Sequence, residues 1–281
     1  MPTPIASLLV FTDLDGTLLD HHDYGFEQAL PAIQRLKHHD VPIIFNTSKT
    51  LAESIALAEQ LGICQPLIVE NGAAIALPKD YDFRTRRPSG RAWQEAPTIV
   101  SLGTPIIEIR AVLEKAEKAL ALGERVQTFS SLSVNEIQAL TGLPNDKAVM
   151  AKDRLFSEPF RWLGDGDMLQ LLEQYLDKNA LQLTRGGRFH HVTGPHNKRT
   201  AMVRMTEMFN TSADLTRSCL VIALGDSQND AEMLAGADIA VVVSNPAGSG
   251  ITINHPDVRY TKAEGPLGWR EGIDEILADV G

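Results

Sequence analysis

The stretch that decides the fold stands near the start of the chain and reads Leu8-Leu9-Val10-Phe11-Thr12-Asp13-Leu14-Asp15-Gly16-Thr17. Its first half is a continuous apolar run, and its second half is polar and contains a glycine. A short run that is apolar at every position is typical of a parallel strand buried on both faces. The stretch therefore predicts a buried strand that delivers two carboxylates, Asp13 and Asp15, into a loop at its C-terminal end.

The same profile recurs farther along the chain. Apolar runs at 41–45, 66–69, 220–224 and 239–243 each end in polar residues, and a helical pattern at 51–61 lies between two of them. Strands that alternate with helices predict an α/β fold with a doubly wound parallel sheet, which is a Rossmann-like core. Ligands of such sheets bind beyond the carboxyl ends of the strands, so we expect the polar loops to converge on one site.

The middle of the chain has a different pattern of predicted helices and strands. Amphipathic helical patterns at 106–122, 134–140 and 167–176 alternate with thinner and more polar strand candidates. This pattern favours an inserted α+β cap domain, and turn-forming, charged segments on either side are suitable crossings. The predicted division is a first part of the core at 1–83, the cap domain at 84–191 and a second part of the core at 192–281.

Composition limits the classes of partner. The chain has 281 residues, 43% of them hydrophobic, and a formal net charge of -10. Nucleic acids and anionic membranes need a basic face, so we expect neither as a partner. Cys64 and Cys219 lack metal-ligand spacing, and there is neither a basic leader nor an apolar run long enough for a membrane span. We therefore expect a cytoplasmic protein; its oligomeric state is left open.

Two acidic loops carry the predicted chemistry. Asp13 and Asp15 follow the first strand, and Asp226 and Asp230 follow the strand at 220–224. Hydrolysis of a phosphate monoester is eased by a carboxylate nucleophile, which splits the reaction into two steps. The repulsion between that carboxylate and the phosphate requires a hard cation, and carboxylate oxygens suit Mg²⁺.

Thr47 and Lys198 are candidates for the phosphate site. The hydroxyl of Thr47 can hold a phosphate oxygen, and the ammonium of Lys198 can offset negative charge on the phosphate and on Asp13. Each also has an ordinary structural interpretation: Thr47 as a helix cap, Lys198 as a surface lysine and Asp230 as an acid in the first turn of a helix. The residues alone leave both interpretations open.

Taken together, these residues resemble the motifs of the haloacid dehalogenase-like superfamily. The motifs stand in the expected order and extend over the chain: Asp13-x-Asp15-Gly16-Thr17, Thr47, Lys198 and Gly225-Asp226-x-x-Asn229-Asp230. The insertion between Thr47 and Lys198 matches members that carry a large α+β cap at that place.

The resemblance implies a role for each motif residue. Asp13 is the nucleophile, Asp15 is the general acid and base, and Thr47 and Lys198 complete the catalytic set. The implied Mg²⁺ ligands are a carboxylate oxygen of Asp13, the backbone carbonyl of Asp15, and Asp226, with Asp230 near the metal or bound through water. An aspartate at position 15 favours a phosphatase or a mutase.

Within the superfamily, the chain resembles the mannosyl-3-phosphoglycerate phosphatases. The stretches that carry this closer match are Thr47-Ser48-Lys49-Thr50, Glu70-Asn71-Gly72-Ala73, Gly187-Arg188-Phe189-His190-His191-Val192 and Glu264-Gly265-Pro266-Leu267-Gly268-Trp269-Arg270-Glu271-Gly272. The implied substrate is a small phosphorylated sugar, mannosyl- or glucosyl-3-phosphoglycerate. An anionic ligand of this kind needs charged donors. The candidate substrate-binding residues are Ser48, Lys49, Arg185, Arg188 and Asn229.

Three alternatives remain at this point. The chain could be a phosphatase for another sugar phosphate, such as sucrose-phosphate or a hexose phosphate, or a phosphosugar mutase. From a different class, it could be a non-catalytic regulator that binds phosphosugars. The intact acids and Lys198 argue against the regulator.

Overall fold

The computed structural model describes residues 7–186, 189–212, 218–246, 248 and 250–280. In chain order, the strands are β1 (Leu8–Thr12), β2 (Ile43–Phe45), β3 (Leu67–Val69), β4 (Ala74–Leu77), β5 (Tyr81–Asp82), β6 (Arg87–Pro88), β7 (Thr98–Ser101), β8 (Val126–Thr128), β9 (Ser157–Trp162), β10 (Gln182–Gly186), β11 (Phe189–Thr193), β12 (Leu220–Gly225), β13 (Ile239–Ser244) and β14 (Val258–Glu264).

The helices lie between these strands and after the last of them. They are α1 (Leu30–His38), α2 (Leu51–Leu61), α3 (Ile106–Ala119), α4 (Val134–Thr141), α5 (Asn145–Lys152), α6 (Gly166–Asp177), α7 (Lys198–Ser212), α8 (Ala231–Ala235) and α9 (Gly265–Val280).

The core is a five-stranded sheet in the order β14-β13-β12-β1-β2, and every neighbouring pair is parallel. Helices cover both faces. Leu8 and Val10 of β1 belong to the apolar cluster formed with α1, α2 and α9, whereas Leu9 and Phe11 belong to the cluster formed with α7 and α8. Alternate side chains of one strand are therefore buried on opposite faces, as the unbroken apolar run predicts. The predicted doubly wound parallel core is confirmed.

The make-up of the sheet differs from the sequence prediction at its two edges. The run at 66–69 becomes β3, which pairs antiparallel with β4 and reaches the large sheet through a parallel bridge between Asn46 and Ile68. The fifth strand of the large sheet is β14, whose residues are half-buried or exposed in alternation. An edge strand with one solvated face lacks the continuous apolar run on which the prediction relied.

The cap contains a four-stranded antiparallel sheet in the order β10-β11-β9-β8. Helices α3 and α6 pack on one face of it, around the buried ring of Phe160. Helix α5 was not predicted. Its buried residues, Ala148 and Ala151, are small and form no apolar stripe that a sequence pattern would reveal.

The predicted domain boundaries stay a prediction, although strand pairing bears on them. Strand β7 pairs with β4, and β11 of the cap sheet ends at Thr193. We propose that the crossings into and out of the cap lie near residues 102–105 and 194–197. In the described ranges, no helix is both long and apolar enough to cross a bilayer.

Candidate active site

The site lies where four neighbouring strands of the large sheet end. Asp13 follows β1, Thr47 follows β2, Asp226 follows β12 and Asn245 follows β13. These strands are adjacent in the order β13-β12-β1-β2, so their loops meet at one edge of the sheet. The fifth contributor is Lys198, the first residue of α7.

Lys198 joins two acids at the centre of the site. The residue is 2% exposed, and its Nζ donates to Oδ1 of Asp13 and to Oδ1 of Asp230, both at 2.7 Å. A buried ammonium is tolerated only when it is paired and hydrogen-bonded. Lys198 is therefore not a surface lysine, and its charge acts on the predicted nucleophile.

The neighbouring loop at Gly72 fixes the position of Lys198. Gly72 has φ +92°, and a Cβ added there would lie 2.1 Å from the backbone oxygen of Asn197, the residue before Lys198. Asn46 Nδ2 also donates to the backbone oxygen of Lys198 at 2.9 Å. The start of α7 thus packs directly against Gly72, which only a glycine permits.

The second acidic loop is held in a hydrogen-bonded network. Oδ1 of Asp226 accepts from Thr17 Oγ1 at 2.9 Å, and its Oδ2 accepts from Asn245 Nδ2 at 2.6 Å. Oδ2 of Asp230 accepts from the backbone N–H groups of Asp226 at 3.2 Å and Ser227 at 3.1 Å. Asp230 therefore closes its own loop with one oxygen and pairs with the lysine through the other.

The acids at the centre outnumber the cations. Burial, followed by the charges of nearby acids, chiefly Asp230, raises the pKa of Asp13 to about 8, and burial with Asp230 raises the pKa of Asp226 to about 6. Burial opposes the charged form of Lys198, yet Asp13 and Asp230 outweigh it and raise the pKa of the ammonium. Three carboxylates around one ammonium leave an excess of negative charge that a cation would offset.

Asp15 lies at the outer side of this cluster. Its side chain is 37% exposed, and its Oδ1 pairs with Lys49 Nζ at 2.8 Å. Burial lowers the pKa of Lys49, but the carboxylates of Asp15 and Glu53 outweigh this effect and raise it. The ammonium also lies 5.0 Å from the ring centre of Tyr24. Asp15 is thus accessible to solvent, which a group that exchanges protons requires.

The loop after β2 places Thr47 and Ser48 beside these groups. Thr47 is fully buried, and its Oγ1 accepts from the N–H of Lys49 at 3.2 Å. Helix α2 is capped by Thr50, in a capping box with Glu53, and not by Thr47. The interpretation of Thr47 as the helix cap is therefore wrong.

The candidate residues of the cap are spread over two sheet faces. Arg185 is exposed and pairs in register with His190, whose ring stacks on Phe160 at 5.5 Å, so it shares the face that packs against α3 and α6. His191 lies on the opposite face. Arg188 lies outside the described residues, and Asn229 is an exposed residue of the second acidic loop. Substrate contacts for Arg185, Arg188 and Asn229 stay predictions.

Sequence reasoning missed the contact between cap and core. The carboxylate of Glu70 is 1% exposed and accepts from the backbone N–H of Leu155 at 2.8 Å and of Phe156 at 3.1 Å, and from the hydroxyl of Ser157. Arg154 Nη1 donates to the backbone oxygen of Ser48 at 3.2 Å. The partners are about 85 to 106 residues apart in sequence, so no local pattern signals these bonds.

Comparison with known proteins identifies the family. A model of haloacid dehalogenase-like hydrolases matches residues 10–127 and 163–251. The chain belongs to the haloacid dehalogenase-like hydrolases. The resemblance read from the motifs is thereby confirmed, and the remaining comparisons concern relatives within this family.

Two curated relatives of this hydrolase match over nearly their whole length. A glucosyl-3-phosphoglycerate/mannosyl-3-phosphoglycerate phosphatase of Persephonella marina is 36% identical, with 97% of this chain and 98% of the relative covered. A phosphatase of the same name from Methanococcoides burtonii is 33% identical, with coverages of 96% and 97%. Because the chain belongs to this hydrolase family and both relatives are phosphatases, it is a phosphoric monoester hydrolase.

A solved structure supports the same fold. A haloacid dehalogenase-like hydrolase from Bacteroides thetaiotaomicron has a TM-score of 0.64 at 16% identity, with 96% of this chain and 99% of that one covered. At this identity the match shows the fold alone. The α/β core with its inserted cap is therefore shared with known members of the family.

The acids of this hydrolase fit a divalent cation. Asp13, Asp226 and Asp230 each offer an oxygen, and these atoms lie within 4.8 Å of one another. An all-oxygen donor set with excess negative charge suits Mg²⁺. The carboxylate of Asp15 pairs with Lys49 and is not one of these three donors. The contribution expected from Asp15 is its backbone carbonyl, and this contribution stays a prediction.

Proposed function

We propose that the protein is a magnesium-dependent phosphatase of the cytoplasm that hydrolyses glucosyl- or mannosyl-3-phosphoglycerate to the glycosylglycerate and phosphate. The observation that carries the chemistry is Lys198, buried between Asp13 and Asp230 with Asp226 beside them. The substrate comes from the two curated relatives, which match along the whole chain.

The reaction proceeds in two steps on Asp13. In the first, a carboxylate oxygen of Asp13 bonds to phosphorus, the bond between phosphorus and the glycerate oxygen breaks, and Asp15 gives its proton to that oxygen. In the second, water attacks the phosphorus of the aspartyl-phosphate, Asp15 takes the proton of the water, and the carboxylate of Asp13 is released with inorganic phosphate.

The surrounding residues hold these groups in place. Lys198 keeps Asp13 oriented and offsets charge on the phosphate, and Thr47 offers its hydroxyl beside the same loop. Asp13, Asp226 and Asp230 would hold Mg²⁺, which would supply positive charge to offset the repulsion between the carboxylate of Asp13 and the phosphate. The contact with Lys49 holds the carboxyl group of Asp15 in place, and the side chain of Asp15 is 37% exposed, so it can exchange a proton with solvent.

A panel of phosphate esters tests the proposal. Phosphate release is measured with magnesium present for the two glycosyl-3-phosphoglycerates, sucrose-phosphate, mannose 6-phosphate and 3-phosphoglycerate. We expect a strong preference for a glycosyl-3-phosphoglycerate, and loss of activity in Asp13→Asn. The control is Asp177→Asn, which makes the same change at an exposed position of α6.

Three outcomes would count against parts of this function. An Asp13→Asn enzyme that turns over near the wild-type rate removes the nucleophile assignment. Equal activity on all five esters removes the substrate assignment and leaves the phosphatase chemistry. Phosphate that returns to a different hydroxyl of the sugar, with little free phosphate, indicates a mutase.

A further inference from the structure

Arg154 occupies the junction between the cap and the catalytic loops. It lies in the turn between α5 and β9, and its Nη1 donates to the backbone oxygen of Ser48 and to Ser157 Oγ, both at 3.2 Å. Its Nε donates to the backbone oxygen of Ala151 at 3.1 Å. One side of the guanidinium is thereby fixed against the loop that carries Thr47 and Lys49.

The charge of Arg154 is not balanced by an acid. Over the described ranges, no carboxylate oxygen lies within 4.0 Å of its guanidinium, and its Nη2 makes no hydrogen bond. The buried carboxylate nearby, Glu70, is instead satisfied by Leu155, Phe156 and Ser157. A half-buried guanidinium with a free donor and no counter-charge is suited to an anionic ligand.

The backbone that carries Arg154 is rigidly placed. Glu70 accepts hydrogen bonds from the three residues that follow Arg154, and Thr50 Oγ1 donates to the backbone oxygen of Met150 at 2.9 Å. The turn is therefore tied to the core on both sides of Arg154. A cation held in this way is pre-organised, so little ordering is needed when a ligand binds.

Neighbouring basic groups are unsuited to the same task. Lys49 is already paired with Asp15. His191 lies near Arg154, and burial together with the charge of Arg154 lowers its pKa to about 3, so the imidazole is neutral at physiological pH. Arg185 belongs to the other face of the cap sheet. Of Lys49, His191, Arg185 and Arg154, only Arg154 is a charged group at the core–cap contact that has no counter-charge among the described residues.

We propose that Arg154 binds the carboxylate of the substrate through its free guanidinium edge and so selects esters of phosphoglycerate over esters without a carboxylate. This inference rests on the proposed function, because that substrate carries a carboxylate beside its phosphate. Lys198 and Thr47 contact the phosphate of the substrate, and Arg154 binds its carboxylate. Arg154 is thus a specificity residue and takes no part in the bond-breaking steps.

A pair of small esters tests this role without the sugar. Both esters carry the same phosphate. 3-Phosphoglycerate has a carboxylate at the position where glycerol 3-phosphate has a hydroxymethyl group. The measured quantity is the ratio of kcat/KM for the acid to kcat/KM for the alcohol, in the wild type, Arg154→Gln, Arg154→Lys and the control Arg204→Gln. Arg204 is an exposed residue of α7 that pairs with Glu207.

We expect Arg154→Gln to lower the ratio by about tenfold or more, because a hydrogen-bonded ion pair is lost, while activity on glycerol 3-phosphate changes less than about twofold. Arg154→Lys should keep part of the ratio, and Arg204→Gln all of it. A ratio that Arg154→Gln leaves unchanged overturns the proposal, as does an equal loss on both esters, which would show a structural role.

The two proposals fail separately in this experiment. In one outcome, the wild type prefers 3-phosphoglycerate to glycerol 3-phosphate, Arg154→Gln abolishes that preference, and the wild type shows no preference for glycosyl-3-phosphoglycerates. This outcome supports the role of Arg154 and removes the glycosyl part of the proposed function. A wild-type ratio near one overturns the role of Arg154, even where phosphate release itself is intact.

Discussion

Replacement of Glu70 by alanine should weaken the attachment of the cap to the core. The carboxylate of Glu70 is buried and accepts three hydrogen bonds from residues 155–157. Its removal leaves the N–H of Phe156, which is 5% exposed, without an acceptor, whereas Leu155 is more exposed and can turn to water. An unsatisfied buried donor costs about 1–3 kcal/mol, and each lost hydrogen bond about 1 kcal/mol.

With about 1–3 kcal/mol for the N–H of Phe156 and about 1 kcal/mol for each of the bonds from Leu155 and Ser157, the loss in the free energy of unfolding is about 3–5 kcal/mol. For a chain of this size, that corresponds to a fall of about 6–20 °C in the thermal midpoint. Glu70→Gln should fall between alanine and the wild type. Its amide oxygen can still accept from Phe156 and Ser157, but its NH₂ group would face the N–H of Leu155, a second donor.

The assay is calorimetric or circular-dichroism melting, with urea unfolding as a second probe. Glu207→Ala serves as control, because Glu207 is exposed and, among the residues that the structure describes, its carboxylate pairs with the surface residue Arg204 alone, an interaction worth about 0–1 kcal/mol. The reasoning is refuted if Glu70→Ala melts within about 2 °C of the wild type, or if Glu207→Ala loses as much stability as Glu70→Ala.

Three further predictions follow from the buried groups. The pKa of His191 in the folded protein, about 3, lies below its ordinary value of 6.5, so the protein loses stability as the pH falls below 6.5. His191→Gln should therefore reduce the slope of the free energy of unfolding against pH, between pH 4 and 6, by up to about 1.4 kcal/mol per pH unit. Urea unfolding at a series of pH values measures this slope. Magnesium should raise the thermal midpoint of chelator-treated protein more at pH 8 than at pH 6, because the raised pKa values of Asp13 and Asp226 make protons compete with the cation; an equal rise at both pH values would contradict this. Gly72→Ala should cost about 1–2 kcal/mol for its positive φ alone, and the clash with Asn197 should displace the adjacent catalytic lysine, so kcat should fall further than stability does.

Much of the core could be predicted because its strands are buried on both faces. Such strands read as unbroken apolar runs, and a parallel sheet necessarily brings their carboxyl ends to one edge. The clustering of Asp13 with Asp226 and Asp230 follows from this rule, although Asp13 stands more than about 200 residues before the other two. Strand β14 and helix α5 escaped prediction because one is a half-solvated edge and the other buries only alanines.

The division between sequence and tertiary structure follows the range of the interactions involved. Local patterns, namely apolar runs, a strand-end D-x-D and turn glycines, determined the class of fold and the identity of the acids, because each depends on residues a few positions apart. Only the tertiary structure decided that Lys198 is buried between Asp13 and Asp230, that Glu70 holds the turn after α5, and that Arg154 rests on Ser48. These contacts join residues that are distant in sequence, and their energy arises from burial and pairing that exist only once the chain has folded.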